Sequence, residues 1–182
     1  MRQHISGAGI PAPGRTRHAG LAARLGMAVM AVMVAGVPLS AVQAAPVELP
    51  ARPVLPFALA QKIADAAIQK AKTIPATGVI AIVDDAGEVI LQIRMDNAFM
   101  RASSRLAPEK ARSAVMFRRS TATLEAAVAG PRPALATAPG FVMLKGGEPI
   151  VINGHLVGGI GVSVDTPDHD EDIAQAGLAA IK

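Results

Sequence analysis

The stretch KGGEPIVINGHLVGGIGVSV, residues 145–164, decides the fold. Within it, residues 148–152 and 155–164 form two apolar runs that predict β-strands. Asn153-Gly154 lies between the two runs, and this pair readily adopts the positive φ angles that a two-residue hairpin turn requires. The stretch therefore predicts an antiparallel hairpin in the last third of the chain.

Three glycines in the second of these strands, Gly158, Gly159 and Gly161, form the next signal. Glycine weakens a strand interior, so the cluster indicates a place where another backbone or a flat ligand comes close. A bulge or bend in a curved sheet is the alternative explanation. The sequence leaves both interpretations open.

Short helices and strands are predicted around this hairpin from helical apolar spacing and from alternating β-branched runs. Ser120 or Thr121 can cap one helix, and Thr166 can cap the last one, with Pro167 in its first position. Antiparallel strands with helices kept outside them predict an α+β layer fold. The predicted helices are 57–74, 108–117, 120–128 and 166–181, the remaining strands are 78–83, 88–95 and 141–144, and residues 98–107 and 131–140 are predicted to be irregular.

Residues 1–44 have the pattern of a secretory signal peptide. Basic residues precede an uncharged run, residues 25–45, which is mostly apolar and ends in small residues up to Ala44. We expect cleavage after Ala44 and a periplasmic or secreted protein. The alternative is an uncleaved membrane anchor, because the uncharged run approaches the roughly 20 residues that span a bilayer.

The remaining chain divides into a proline-rich linker, residues 45–56, and one domain, residues 57–182. Four of the 18 basic residues lie in the leader, so 14 remain to balance all 14 acidic residues. A nearly neutral domain gives no support for a nucleic-acid partner. The chain has no cysteine, which excludes disulfides, a thiolate nucleophile and cysteine-ligated zinc.

A basic cluster stands out within this neutral domain. It can form a positive face that receives carboxylates, such as haem propionates or a small organic acid, because guanidinium groups pair with carboxylates in bidentate fashion. The alternative is a solvated helix face that pairs, across an oligomer, with the acidic residues 165–172. The members of the cluster are Arg94, Arg101, Arg105, Lys110, Arg112, Arg118 and Arg119.

Four segments together resemble the GlcG/HbpS-like proteins, often described as haem-degrading or haem-binding domains. They are LAQKIADAAIQKAK at 59–72, AIVDDAGEVILQIRMDNA at 81–98, APEKARSAVMFRRSTATL at 107–124 and GGEPIVINGHLVGGIGVSVDTPDHDEDIAQAGLAAI at 146–181. The resemblance implies a profilin- or PAS-like domain, with a five-stranded antiparallel sheet flanked by helices, that forms symmetric homo-oligomers. It also implies haem binding outside the cytoplasm, in some members together with a sensor protein.

The resemblance also suggests site residues. Lys110 and Arg112 match positions in the family's helix motif, so we expect them to contact an anion, and Gly158 and Gly159 would frame the tetrapyrrole beside them. Haem degradation follows from the resemblance alone, since the residues contain no visible catalytic constellation.

Residues 45–182 contain two histidines, His155 and His169, which are the predicted axial ligands if a histidine holds the haem iron. His155 follows the hairpin turn and can equally be an exposed turn residue. His169 lies among acidic residues in the first turn of the last helix and can equally be a solvated neighbour of the cap. The remaining soft ligands are Met95, Met100, Met116 and Met143.

These observations predict a periplasmic or secreted protein that binds haem or a related tetrapyrrole. Two other functions stay open. One is an accessory protein or enzyme that acts on a small carboxylate such as glycolate. The other is an oligomeric assembly or sensor-partner module without a small ligand. Contact with a membrane is expected only through an uncleaved leader.

Overall fold

The computed structural model describes residues 47–182, so the predicted signal peptide lies outside the described residues. Residues 47–56 form neither a helix nor a strand, and Pro56, directly before the first helix, is extended. Helices and strands then alternate in small groups. The helices are α1 (Phe57–Thr73), α2 (Ser103–Phe117), α3 (Thr121–Ala129) and α4 (Pro167–Ala179), with a 3-10 helix at Pro133–Thr137, and the strands are β1 (Val79–Asp84), β2 (Val89–Arg94), β3 (Gly147–Ile152) and β4 (His155–Ser163).

The four strands form one antiparallel sheet in the order β2-β1-β4-β3. Helix α2 packs on one face, and α1 and α4 pack on the other. Successive side chains of β1 point to opposite faces of the sheet and are buried on both. Ile80 and Ile82 join the core of α1 and α4, whereas Val79, Ala81 and Val83 contact α2. The α+β class is therefore confirmed, with central strands covered on both faces.

The predicted hairpin of β3 and β4 is present. Ile152 pairs with His155, and the turn residues Asn153 and Gly154 have φ angles of 49° and 79°. Two successive positive φ angles are the geometry for which an Asn-Gly pair is suited.

The glycines of β4 lie where the backbone of α2 comes closest to the sheet. A Cβ atom at Gly161 would lie 1.9 Å from the carbonyl oxygen of Ala107, and one at Gly159 would lie 2.8 Å from that of Ala111. A register shift between Ile150 and Val151 also marks a bulge in the β3–β4 pair. Both explanations offered for these glycines, a close backbone and a bulge, have a counterpart in this strand.

The prediction of a fifth strand at residues 141–144 is wrong. Side chains accept two backbone N–H groups, one within this segment and one just after it. The N–H of Val142 donates to Oγ of Ser113 at 2.9 Å, and the N–H of Lys145 donates to the carboxylate of Glu125. Residues 141–144 pair with no strand of the described sheet, in which β3 is the edge strand.

Helix α2 begins at Ser103, five residues before the predicted start at Pro108, so residues 103–107 are not irregular. Proline has no N–H, which leaves the carbonyl oxygen of Ser104 without its helical donor. The side-chain amide of Gln92 in β2 supplies that donor at 3.0 Å. A tertiary hydrogen bond thus allows the helix to include a proline in its second turn.

The predicted helix caps are confirmed. Oγ of Ser120 accepts the N–H of Ala122 at 3.1 Å, and Oγ1 of Thr166 accepts the N–H of His169 at 3.2 Å. Pro167 occupies the first position of α4. Among residues 47–182, no helix is both long and apolar enough to cross a bilayer.

Candidate functional site

The two predicted haem ligands lie far apart. His155 is exposed at the start of β4, beside the hairpin turn. His169 lies in the first turn of α4, beyond the other end of β4, with Nδ1 2.8 Å from Oδ1 of Asp165. Nine residues of β-strand span roughly 27 Å, so the two imidazoles of one chain cannot hold the same iron. No group of three or more His, Asp or Glu side chains within the described residues is arranged to hold a metal ion.

Lys110 is buried in an ion pair. Its side chain is 3% exposed, and Nζ lies 2.6 Å from Oδ2 of Asp170 and donates to the carbonyl oxygen of Val162 at 3.0 Å. Oδ1 of Asp170 accepts the N–H of Val164 at 2.6 Å. Burial raises the pKa of Asp170, and the neighbouring ammonium group opposes that rise. The pair joins α2, β4 and α4 in the interior.

Arg112 contacts the turn between β1 and β2. Its Nε donates to the carbonyl oxygen of Gly87 at 3.1 Å, and a terminal nitrogen lies 3.4 Å from Oε1 of Glu88. Gly158 is covered by Leu55, which precedes α1. Cδ2 of Leu55 lies 3.1 Å from the position that a Cβ atom on Gly158 would take. The predicted contact residues are thus spread over several parts of the molecule, and their roles in ligand binding stay predictions.

A hollow of about 530 Å³ lies between the end of α1 and the end of β2, and we call it the α1–β2 hollow. Ile68, Ala76 and Ile93 make part of its lining apolar, while Lys72 and Arg94 bring positive charge to it. Its volume falls within the range of roughly 300–1,000 Å³ typical of small-molecule and cofactor sites. The complete lining is Ile68, Ala71, Lys72, Pro75, Ala76, Thr77, Ile93, Arg94, Met95, Asp96 and Asn97.

The sequence interpretation missed this hollow. Two local signals bracket it: Pro75, which follows α1, and the turn at Asp96 and Asn97, where Asn97 has a φ angle of 60°. Both mark a change of chain direction. Their meeting at one place depends on how α1 packs against β2, which no local pattern specifies.

A smaller pocket, of about 190 Å³, lies beside the buried Lys110. Lys145 lines it and is already paired, with Nζ 2.9 Å from Asp168 and 3.0 Å from Glu171. These carboxylates raise the pKa of Lys145, and Lys145 lowers the pKa of Asp168. Because Lys110 and Lys145 are already paired with carboxylates of the protein, this pocket is poorly suited to a carboxylate ligand.

The comparison with protein families decides the classification. Residues 55–179 match the family model described as "Haem degrading protein HbpS-like". This chain belongs to the HbpS-like family. The match covers α1 to α4 and includes the whole sheet.

Three relatives illustrate the similarity. Protein GlcG of Escherichia coli K12 is 40% identical over 84 residues, which make up 46% of this chain and 62% of GlcG, less than two thirds of that protein. A double mutant of HbpS from Streptomyces reticuli is 34% identical, with a TM-score of 0.69 over 77% of this chain and 99% of that chain. PduOC, solved as a complex with haem, is 32% identical, with a TM-score of 0.64 over 71% of this chain and 96% of that chain.

Proposed function

We propose that this member of the HbpS-like family binds haem or a related tetrapyrrole. The observation that carries the proposal is the similarity to PduOC, which extends over 96% of a chain whose structure is a haem complex. The α1–β2 hollow supports it, because its size and its largely apolar lining suit a macrocycle. Lys72 and Arg94 would pair with the propionates.

Met95 is the residue that we propose for contact with the iron. It lines the α1–β2 hollow, and a methionine thioether is an axial ligand in some haem proteins. His155 and His169 do not line this hollow. Bound haem would supply the redox chemistry of its iron, whereas these side chains would bind and orient it.

A hemin titration of the purified full chain, followed by haem absorbance, tests the proposal. We expect saturation at a defined stoichiometry for the wild type and at least a tenfold weaker affinity, with an altered spectrum, for Met95→Leu. Met116→Leu is the matched control, since Met116 is 44% exposed on α2 and does not line the hollow. Absence of saturable binding in the wild type would overturn the proposed function.

Two further variants locate the iron. If His155→Ala or His169→Ala abolishes the spectral change while Met95→Leu does not, haem binding stands and the α1–β2 hollow is the wrong site. If neither histidine variant differs from wild type and Met95→Leu does, the result supports Met95.

We further propose that the protein is exported, because residues 1–44 have the order of a signal peptide. Fractionation of a Gram-negative host followed by N-terminal sequencing would test this. A periplasmic product that begins at Ala45 supports export with cleavage. An intact N-terminus in the cytoplasmic fraction contradicts it.

A homo-oligomer is the third part of the proposal. The edge strand β3 exposes Val151, which is 54% accessible and lies beside Leu178 and Ile181 in a shallow hollow. An exposed apolar edge of this kind is suited to contact with a second copy. Light scattering should give more than one chain per particle for wild type and a lower mass for Val151→Lys. A wild-type monomer would contradict the proposal.

A further inference from the structure

The basic cluster divides into paired and unpaired members. Lys110 pairs with Asp170 and Arg112 with Glu88, and Arg105 lies 3.7 Å from Glu109. In contrast, no carboxylate of the described residues lies within 4.0 Å of Arg94 or Arg101. These two guanidinium groups therefore keep their charge available.

Arg94 and Arg101 line the same cleft, which has a volume of about 440 Å³. The other residues of its lining are Ala98, Phe99 and Ser104, so no acidic residue contributes to it. We call it the Arg94–Arg101 cleft. Two positive charges that share a solvent-filled cleft repel each other, and an anion between them removes that repulsion.

The walls of the cleft are held in place by hydrogen bonds. A terminal nitrogen of Arg94 donates to the carbonyl oxygen of Ala98 at 3.0 Å, which fixes the guanidinium group and leaves its other N–H donors for a ligand. The bond from Gln92 to the carbonyl oxygen of Ser104 ties the other wall, the first turn of α2, to β2. The Arg94 donor is therefore held in place before a ligand binds, which lowers the conformational entropy that binding costs at this residue.

We propose that the Arg94–Arg101 cleft binds a small oxyanion with two negative charges, either a dicarboxylate or phosphate. Each guanidinium group offers a bidentate pair of donors that matches a carboxylate or phosphate. The Ser104 hydroxyl is a further donor in the lining, and the ring of Phe99, a residue that is 69% exposed, offers an apolar contact. This site goes beyond haem binding: it shares Arg94 with the α1–β2 hollow, whereas Arg101 does not line that hollow.

Calorimetric titration of the full chain with succinate, and separately with inorganic phosphate, tests the proposal at constant ionic strength set with sodium chloride. We expect saturable binding of at least one of them, with a Kd of about 1 mM or tighter. Binding of succinate alone identifies a carboxylate site, and binding of phosphate alone identifies a phosphate site. Binding of neither one overturns the proposal.

Arg101→Gln separates a defined site from diffuse positive charge. The side chain is exposed, so we expect a normally folded variant whose affinity for the bound anion falls at least tenfold. Arg119→Gln removes another exposed arginine, just past the C-terminal end of α2, and should change the affinity less than twofold. Equal losses in the two variants would overturn the proposal.

The same variants keep this proposal distinct from haem binding. Arg101→Gln should leave the hemin titration unchanged, because the α1–β2 hollow does not include Arg101. Anion binding can therefore fail while haem binding stands, and the reverse also holds.

Discussion

Helix α2 borders two regions that are built in opposite ways. Along β4, the helix backbone lies directly on glycines, and Lys110 is buried with its counter-ion. At its N-terminal end, beside the edge strand β2, Arg94 and Arg101 line an open cleft without acidic partners. The residues belong to one basic cluster of the sequence. Burial and the nearest carboxylate, and not position in the cluster, distinguish a structural cation from one that is available to a ligand.

The largest effect on stability should come from the region where α2 lies on β4. Lys110→Met leaves the Asp170 carboxylate buried without its cation, and we expect a loss of about 3–5 kcal/mol in the free energy of unfolding. Urea denaturation would measure it. Lys62→Met, at an exposed position of α1, should change stability by no more than about 0.5 kcal/mol.

A double variant sharpens this result. Lys110→Met with Asp170→Asn removes both charges, keeps an acceptor for the N–H of Val164, and should recover most of the lost stability, since no unpaired buried charge remains. A loss below about 1 kcal/mol for Lys110→Met alone would contradict the role assigned to the pair.

The next effect concerns the close approach of α2 to β4. Gly161→Ala places a Cβ atom 1.9 Å from a backbone oxygen, so we expect a loss of about 1–3 kcal/mol or more. A Cβ atom at Gly154 would have no atom within 4 Å, so Gly154→Ala is strained only by the backbone φ angle of 79°. Its loss should be near 1 kcal/mol. Thermal or urea unfolding that shows Gly161→Ala to be the milder change would refute the packing argument.

The smallest effect concerns Glu148, a partly buried carboxylate in β3. Burial raises the pKa of Glu148, and the negative charge of Glu171 adds to the rise. The hydroxyl of Ser120 donates to Oε1 at 2.6 Å and opposes it. The folded state then binds the proton more tightly than the unfolded chain does. The resulting stabilisation is present below about pH 4.5 and is lost as the pH rises through the raised value.

Glu148→Gln should therefore increase the free energy of unfolding at pH 7.5, by up to about 1 kcal/mol, because the amide keeps an acceptor for Ser120 and carries no charge. The profile from pH 4 to pH 8 should also become flatter than that of wild type. Glu48→Gln, at an exposed position, serves as the control. Parallel profiles for wild type and Glu148→Gln would show that Glu148 does not titrate differently in the two states.

Features that depend on a few neighbouring residues could be predicted from the sequence. The hairpin follows from Asn153-Gly154, and the helix starts follow from Ser120 and Thr166, because the turn and the caps are satisfied within two or three residues. The α+β class follows from the order of such elements.

Features that depend on distant partners could not be predicted in the same way. The bond between Lys110 and Asp170 joins residues 60 positions apart. Its one local signal is the place of Lys110 in the helix, directly before the buried Ala111 and three residues after the buried Ala107. The absent strand at residues 141–144 likewise involves distant side chains, since Ser113 accepts the N–H of Val142 and Glu125 accepts that of Lys145, just after the segment.

Pro108 has a consequence for how the molecule opens. Because it removes one helical hydrogen bond, the first turn of α2 depends on tertiary bonds, one from the Gln92 amide of β2 to Ser104 and one between Ser103 and Ser163 of β4. Edge strands and helix ends with few buried contacts are the parts of a protein that unfold locally at low free energy. We therefore expect strand β2 and the part of α2 that is bonded to it to open as one unit, whose amide hydrogens exchange together. Since Arg94 lines both the α1–β2 hollow and the Arg94–Arg101 cleft, a ligand in either one would slow exchange across this unit.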